Sequence, residues 1–196
     1  MKKNTTLFVI LGIIVVLFFW GCGSYNSLVK SDQNVKTKWS DVETNYQRRT
    51  NLYNSVVKVI EGSANFEKST LTEIIQARAK ATSVTVNTND PKSLEAFQNA
   101  QSGLQSAFGR LLAVAENYPD LKTTGAFSDF QAQIEGTENR INVARQDYNN
   151  AVRNYNIKVK SFPGNIFAGI FGFHEGAFFK ADQGTQNPPD IQFNIK

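Results

Sequence analysis

Residues 127–162, FSDFQAQIEGTENRINVARQDYNNAVRNYNIKVKSF, decide the fold. Read in sevens, they give Phe127, Ile134, Ile141, Tyr148, Tyr155 and Phe162. A second row runs between them: Phe130, Thr137, Ala144 and Ala151, with Val152 and Val159 one step on. Apolar residues at this spacing form one stripe down a helix. The other positions carry Gln, Asn, Glu, Asp, Arg and Lys, and no proline interrupts the run. Such a helix would reach about 54 Å at about 1.5 Å per residue. One apolar stripe cannot hold it in water, so other helices must cover it.

Working back along the chain, three more helices are expected. The first covers about 24–62, with Leu28, Val35, Trp39, Val42, Tyr46, Tyr53, Val56 and Ile60 on its seam and Arg49 filling one place. Gly62 and Ser63 would end it. A shorter helix covers about 66–83. The run Val84–Thr88 leads into the turn signal Asn89-Asp90-Pro91. Asp90 then caps a third helix with Pro91 at its first position. Its stripe is Leu94, Phe97, Leu104, Phe108, Leu111, Ala115 and Tyr118, and Pro119 stops it. Gly103 and Gly109 in this helix would permit close helix approach. A loop over 120–125 reaches the fourth, long helix. The expected fold is all-α, an antiparallel four-helix bundle over 25–162. After Pro163-Gly164, residues 163–196 read as a mostly irregular, Phe-rich tail with room for one short helical turn.

Residues 1–24 read as a membrane anchor. No charged side chain occurs from 4 to 29, and residues 7–20, LFVILGIIVVLFFW, are apolar but for one glycine. With Thr5, Thr6, Gly21 and Cys22 the run reaches the roughly 17–20 residues of a bilayer crossing. Lys2 and Lys3 precede it, and Trp20 and Tyr25 stand at its far end, where aromatic rings favour the interface. The alternatives are a lipoprotein signal with Cys22 as the lipidated residue, against which Phe19 and Trp20 stand where small residues are preferred, and a cleaved secretory signal, for which no Ala-x-Ala-like site follows the run. If the first helix leaves the membrane, the fourth must return to it, which brings the tail to the bilayer surface. Lys2 and Lys3 favour a bundle on the non-cytoplasmic side, with Lys30, Lys36 and Lys38 arguing back.

The chemistry-bearing residues are few. The net charge is +4, two units of it from Lys2 and Lys3, and no dense basic patch points to a nucleic acid. His174, the sole histidine, lies in the Phe-rich tail and Cys22, the sole cysteine, in the anchor, so a nucleophile–base pair is not expected and a His/Cys metal site cannot be assembled. Glu135 and Glu138 are neighbours on the long helix, but their expected role is pairing with Arg140, Arg145 or Arg49 rather than metal binding. Arg49 on a core seam needs a partner or an exit to water. The sharper expectation pairs it with Glu138 and fixes helix register. Phe167, Phe171, Phe173, Phe178 and Phe179 either cap the bundle's end or contact lipid or a membrane partner.

An ordered set of short pieces resembles the LemA family: Tyr25-Asn-Ser-Leu-Val, Asn45-Tyr-Gln-Arg-Arg, Phe66-Glu-Lys, Ala77-Arg-Ala-Lys-Ala, Tyr118-Pro-Asp-Leu-Lys, Glu135-Gly-Thr-Glu-Asn-Arg-Ile, Val143-Ala-Arg, Tyr148-Asn, Phe162-Pro-Gly-Asn and Phe171-Gly-Phe. The resemblance runs from about Tyr25 to the end. Asn51 and Asn54 depart from it, standing where the family usually has Asp and Pro. It implies a bacterial single-pass membrane protein with a helical bundle, and no reaction or cofactor. Together these readings make the chain a non-enzymatic scaffold of the cell envelope. Its expected partners are the lipid bilayer and an unidentified membrane or envelope protein. The alternatives are a lipid-anchored envelope lipoprotein and an accessory factor of a membrane enzyme.

Overall fold

A computed structural model describes residues 2–61, 68–115 and 125–180, without the side chains at 2–7, 9, 13, 14, 17, 68, 115 and 125–128. The described residues form helices α1 (Lys2–Glu61), α2 (Lys68–Ser83), α3 (Pro91–Ala115), α4 (Gly125–Lys160) and α5 (Gly164–Phe171), with no strand among them. The expected stops at Gly62, Ser63 and Pro119, the link 120–124 and the chain beyond 180 lie outside the described residues.

Helix α1 is unbroken through the expected junction at residue 24. It packs antiparallel on α4, because partners fall in number on one as they rise on the other. Ser27 accepts from Lys158, Lys38 pairs with Asp147, and Arg49 pairs with Glu138. Asp147 and then Asp41 hold the Lys38 ammonium pKa up by hydrogen bonds.

Helices α2 and α3 pack on each other and close the other side. The start of α3 follows from its sequence: the Lys92 amide donates to Asp90 Oδ1 at 3.0 Å, satisfying a first-turn donor. Val84 and Val86 in the extended link pack on the core instead of pairing in a sheet. Gly103 and Gly109 do not mediate close approach; a methyl at either would meet nothing within 4 Å.

Two apolar clusters fill the bundle. One joins Trp39, Tyr46, Phe97, Tyr148 and Tyr155; the other joins Tyr53, Ile60, Ile74, Leu104 and Phe108. Each such side chain contributes roughly 1.5–3 kcal/mol on burial. Arg49 lies between them.

The tail begins with more helix than the one short turn expected and continues without regular secondary structure. Residues 164–171 form two turns of helix, closed by Gly172 at φ 73° in the left-handed region that glycine tolerates. Residues 172–180 then run extended over the bundle. Among the described residues no helix is long and apolar enough to cross a membrane. Five residues of the 7–20 run (7, 9, 13, 14 and 17) fall among the side chains outside the described set.

Candidate functional site

The surface with the most unspent chemistry is the foot of the bundle, where α1 meets the α4–α5 turn. Ser161, Phe162 and Pro163 form the turn, and the Phe162–Pro163 peptide is cis. Gly164 must be glycine, because a methyl there would run into the Lys158 carbonyl oxygen. From the turn α5 climbs beside α1. Phe167 lies over Gly21, where an added Cβ would sit 3.1 Å from the ring, and Phe171 meets Tyr25 at 4.8 Å between centroids. Phe162 is 74% exposed, and Ile166, Ile170 and Phe171 also face outward. The foot is therefore apolar on its outer side as well as where it grips α1.

The five tail phenylalanines differ in burial. Phe179 is buried against Trp39 and Tyr148, at 5.9 and 5.4 Å between ring centroids. Phe173 is half-buried beside Tyr25 and the core. Phe167 is half-buried on Gly21, while Phe171 and Phe178 are exposed. Cys22 is exposed, with its sulfur free, in the middle of continuous helix.

The strap 172–180 is held by Tyr148 of the apolar stripe and by two asparagines that sequence reading placed only on the solvated face. Asn156 and Asn149 each clasp a strap residue through both amide atoms, at Gly176 and Phe179. Tyr148 donates to the Ala177 carbonyl at 3.0 Å, and the Ala177 amide donates to the Thr88 carbonyl at 2.8 Å. The available signal was the heptad spacing of the two asparagines beside the apolar stripe.

Arg49 forms the second polar centre. Its side chain is buried, and Nη1 donates to Glu138 Oε1 at 3.2 Å. Nη2 donates to the Gln101 carbonyl and side-chain oxygens at 3.1 and 2.7 Å, which ties α1 to α3 as well as α4. The guanidinium carbon lies 4.8 Å from the Tyr46 ring centre. Nε has no hydrogen-bond partner among the described residues. Burial pushes the Tyr53 hydroxyl pKa up, Arg49 opposing this and Glu138 adding to it. Sequence reading missed Gln101 because it sits on the core side of α3, where no charge marks it. A cavity of about 190 Å³ lies beside this cluster, lined by Arg49, Gln101, Glu138 and Arg145 among others. Most of the Arg49 donors are spent on the protein, so the cluster acts as a cross-brace between three helices. Among the described residues no group of three or more His, Cys, Asp or Glu could hold a metal ion.

The family model of the LemA family matches residues 38–193. The chain belongs to the LemA family. Protein LemA of Metamycoplasma hominis is 28% identical over 177 residues, covering 90% of this chain and 78% of the relative. Magnetosome protein MamQ 2 of Paramagnetospirillum magneticum is 27% identical over 183 residues, covering 84% of this chain and 67% of the relative. Magnetosome protein MamQ of Magnetospirillum gryphiswaldense is 24% identical with the same coverage. None of these names denotes an enzyme. The matched region contains the buried polar layer, the strap to Lys180 and the α4–α5 turn.

Proposed function

We propose that this LemA-family chain is a single-pass, membrane-anchored helical bundle that serves as a non-catalytic scaffold of the bacterial cell envelope. The observation that carries this is the apolar start of α1. Phe8, Ile10, Leu11, Val15, Val16, Phe18, Phe19 and Trp20 are all exposed. At about 100° per residue they point to every side of the helix. A helix apolar all round belongs in a protein core or a bilayer, and here no other described helix encloses it. With the uncharged residues between them and the flanking Thr5, Thr6, Leu7, Gly21 and Cys22, the run over 5–22 reaches the length of a crossing. The same helix continues into the bundle, so the anchor and the scaffold are one mechanical element. Multiple amide and aromatic contacts hold the bundle rigid while its flanks stay polar, which suits presentation of a surface to an envelope partner.

The orientation follows Lys2 and Lys3, which favour an inward start and an outward bundle. The test uses the full chain in its cells, with Cys22→Ser and Glu43→Cys, which moves the single thiol to an exposed face of the bundle. Retention in membranes after an alkaline wash, with labelling of intact cells by an impermeant thiol reagent, is expected. Release by the wash overturns the anchor. Labelling only after lysis overturns the orientation.

A further inference from the structure

Two cavities lie one above the other between the lower ends of α1 and α4. The lower, about 380 Å³, is walled by Phe19, Trp20, Gly23, Leu28, Phe162 and Pro163 among others. The upper, about 750 Å³, is walled by Asn26, Lys30, Ser31, Asn34, Asn154 and Lys158 among others. Ser27 and Lys158 line both, so the two form one groove with an apolar foot and a cationic, amide-rich head. No carboxylate lines either part. Lys158 reaches only the Ser27 carbonyl, at 3.4 Å, and among the described residues neither Lys30 nor Lys158 has an acidic partner. The nearest acid in sequence, Asp32, is paired with Lys36 at 2.7 Å.

We infer that this groove binds one anionic phospholipid. The phosphate would lie between the Lys30 and Lys158 ammonium groups, and an acyl chain would lie along the exposed Phe19, Trp20 and Phe162. The inference rests on the anchored reading of α1 and names the lipid that reading leaves open. Three features of the groove select this occupant. Its polarity changes in the same direction as that of α1, from apolar to charged. Two positive charges without acidic partners complement a phosphodiester, and the neighbouring serines and asparagines suit the glycerol and headgroup hydroxyls. Ser27 stands about 10 Å along the helix from Trp20. A headgroup drawn slightly out of the interface, itself some 5–8 Å deep, covers that distance. Helical side chains lean toward the helix N-terminus, so Lys30 leans toward the membrane end of α1. A free phosphate ion would leave the apolar half unused.

The experiment reconstitutes the full chain in nanodiscs of equal phosphatidylglycerol and phosphatidylcholine, extracts it gently and counts retained lipids by native mass spectrometry. One phosphatidylglycerol per chain, retained in preference to phosphatidylcholine, is expected. Lys30→Gln and Lys158→Gln should each weaken the preference about fivefold. The double Lys→Arg variant should keep it, and helix content by circular dichroism should match the unaltered chain in all of them. Equal retention of the two lipids, or an unchanged preference in the double Gln variant, overturns the groove while leaving the anchor intact. Displacement of the lipid by equimolar glycerophosphate also overturns it, since the ligand would then be a soluble phosphate. A chain that never enters the nanodisc overturns the anchor and this inference together.

Discussion

Asn156 and Gly176 hold each other by two hydrogen bonds: Asn156 Nδ2 donates to the Gly176 carbonyl at 2.9 Å, and the Gly176 amide donates to Asn156 Oδ1 at 2.8 Å. Asn149 repeats the clasp with Phe179, at 3.3 and 2.9 Å. The spacing is commensurate. Seven helical residues rise about 10.5 Å, and three extended residues span about 10 Å. The strap thus runs antiparallel to α4 and is fixed one heptad at a time. Asn156→Ala leaves a buried amide and carbonyl unpaired and should cost about 2–4 kcal/mol. Urea unfolding measures the loss. Hydrogen exchange at Gly176 should quicken before that of the α1–α4 interface.

Cutting the Arg49–Glu138 pair from its two sides should give unequal effects. Glu138→Ala leaves a buried guanidinium with Gln101 alone. Glu138 is 27% exposed, so the expected cost is about 2–3 kcal/mol, below that of a fully enclosed pair. Arg49→Leu removes the charge and frees Glu138 to turn to water, so it should cost less. The double variant should match Arg49→Leu alone, a coupling that thermal melts of the four chains resolve. If both single variants melt like the unaltered chain, the pair does not set the register.

Alkaline pH should unfold the bundle through its tyrosines. Burial, with Asp32 adding, pushes the Tyr155 hydroxyl pKa up to about 12, and burial drives Tyr148 and Tyr53 further the same way. In the unfolded chain each titrates near 10. Below that pH both states keep the proton. Above it the unfolded chain releases protons that the folded chain retains, so stability falls as pH rises from 10 through 12. Tyrosinate absorbance and loss of helical signal should therefore rise together. Tyr155→Phe should lessen the pH dependence in that window.

Gly164→Ala should unseat the foot. The new methyl meets the Lys158 carbonyl oxygen, a backbone atom that cannot rotate away. The turn must open, which lifts Phe167 from Gly21. The expected loss is about 1–3 kcal/mol, with Tyr25 fluorescence altered by separation from Phe171. Gly103→Ala, in open space on α3, is the control and should be neutral or stabilising.

The helices were legible because their signal is periodic and local. The seam from Val35 to Ile60 and the stripe from Ile134 to Tyr155 each repeat several times, and Asp90-Pro91 marks a helix start by its own chemistry. Arg49 and Glu138 were legible as a charge on an apolar seam and an acid on the facing helix. The strap was not, because Asn149 and Asn156 bind backbone atoms, and a backbone partner leaves no mark in sequence. The division of the tail phenylalanines was hidden for a related reason. Phe178 and Phe179 are chemically identical neighbours, and extended backbone sends one outward and one inward. Gly21 was read only as anchor, since the ring it accommodates lies far away in sequence at Phe167.

The account turns on α1 entering hydrocarbon with Trp20 at the boundary, and Trp20 itself can report this. Of the two tryptophans, Trp39 is buried in the aromatic cluster, and Trp39→Phe leaves Trp20 as the sole indole. The full-length variant is reconstituted into vesicles whose lipids carry bromine either near the headgroup or deep in the acyl chains. Strong quenching of Trp20 by the shallow label and weak quenching by the deep one is the predicted result. Emission unaffected by either label would contradict the anchored bundle.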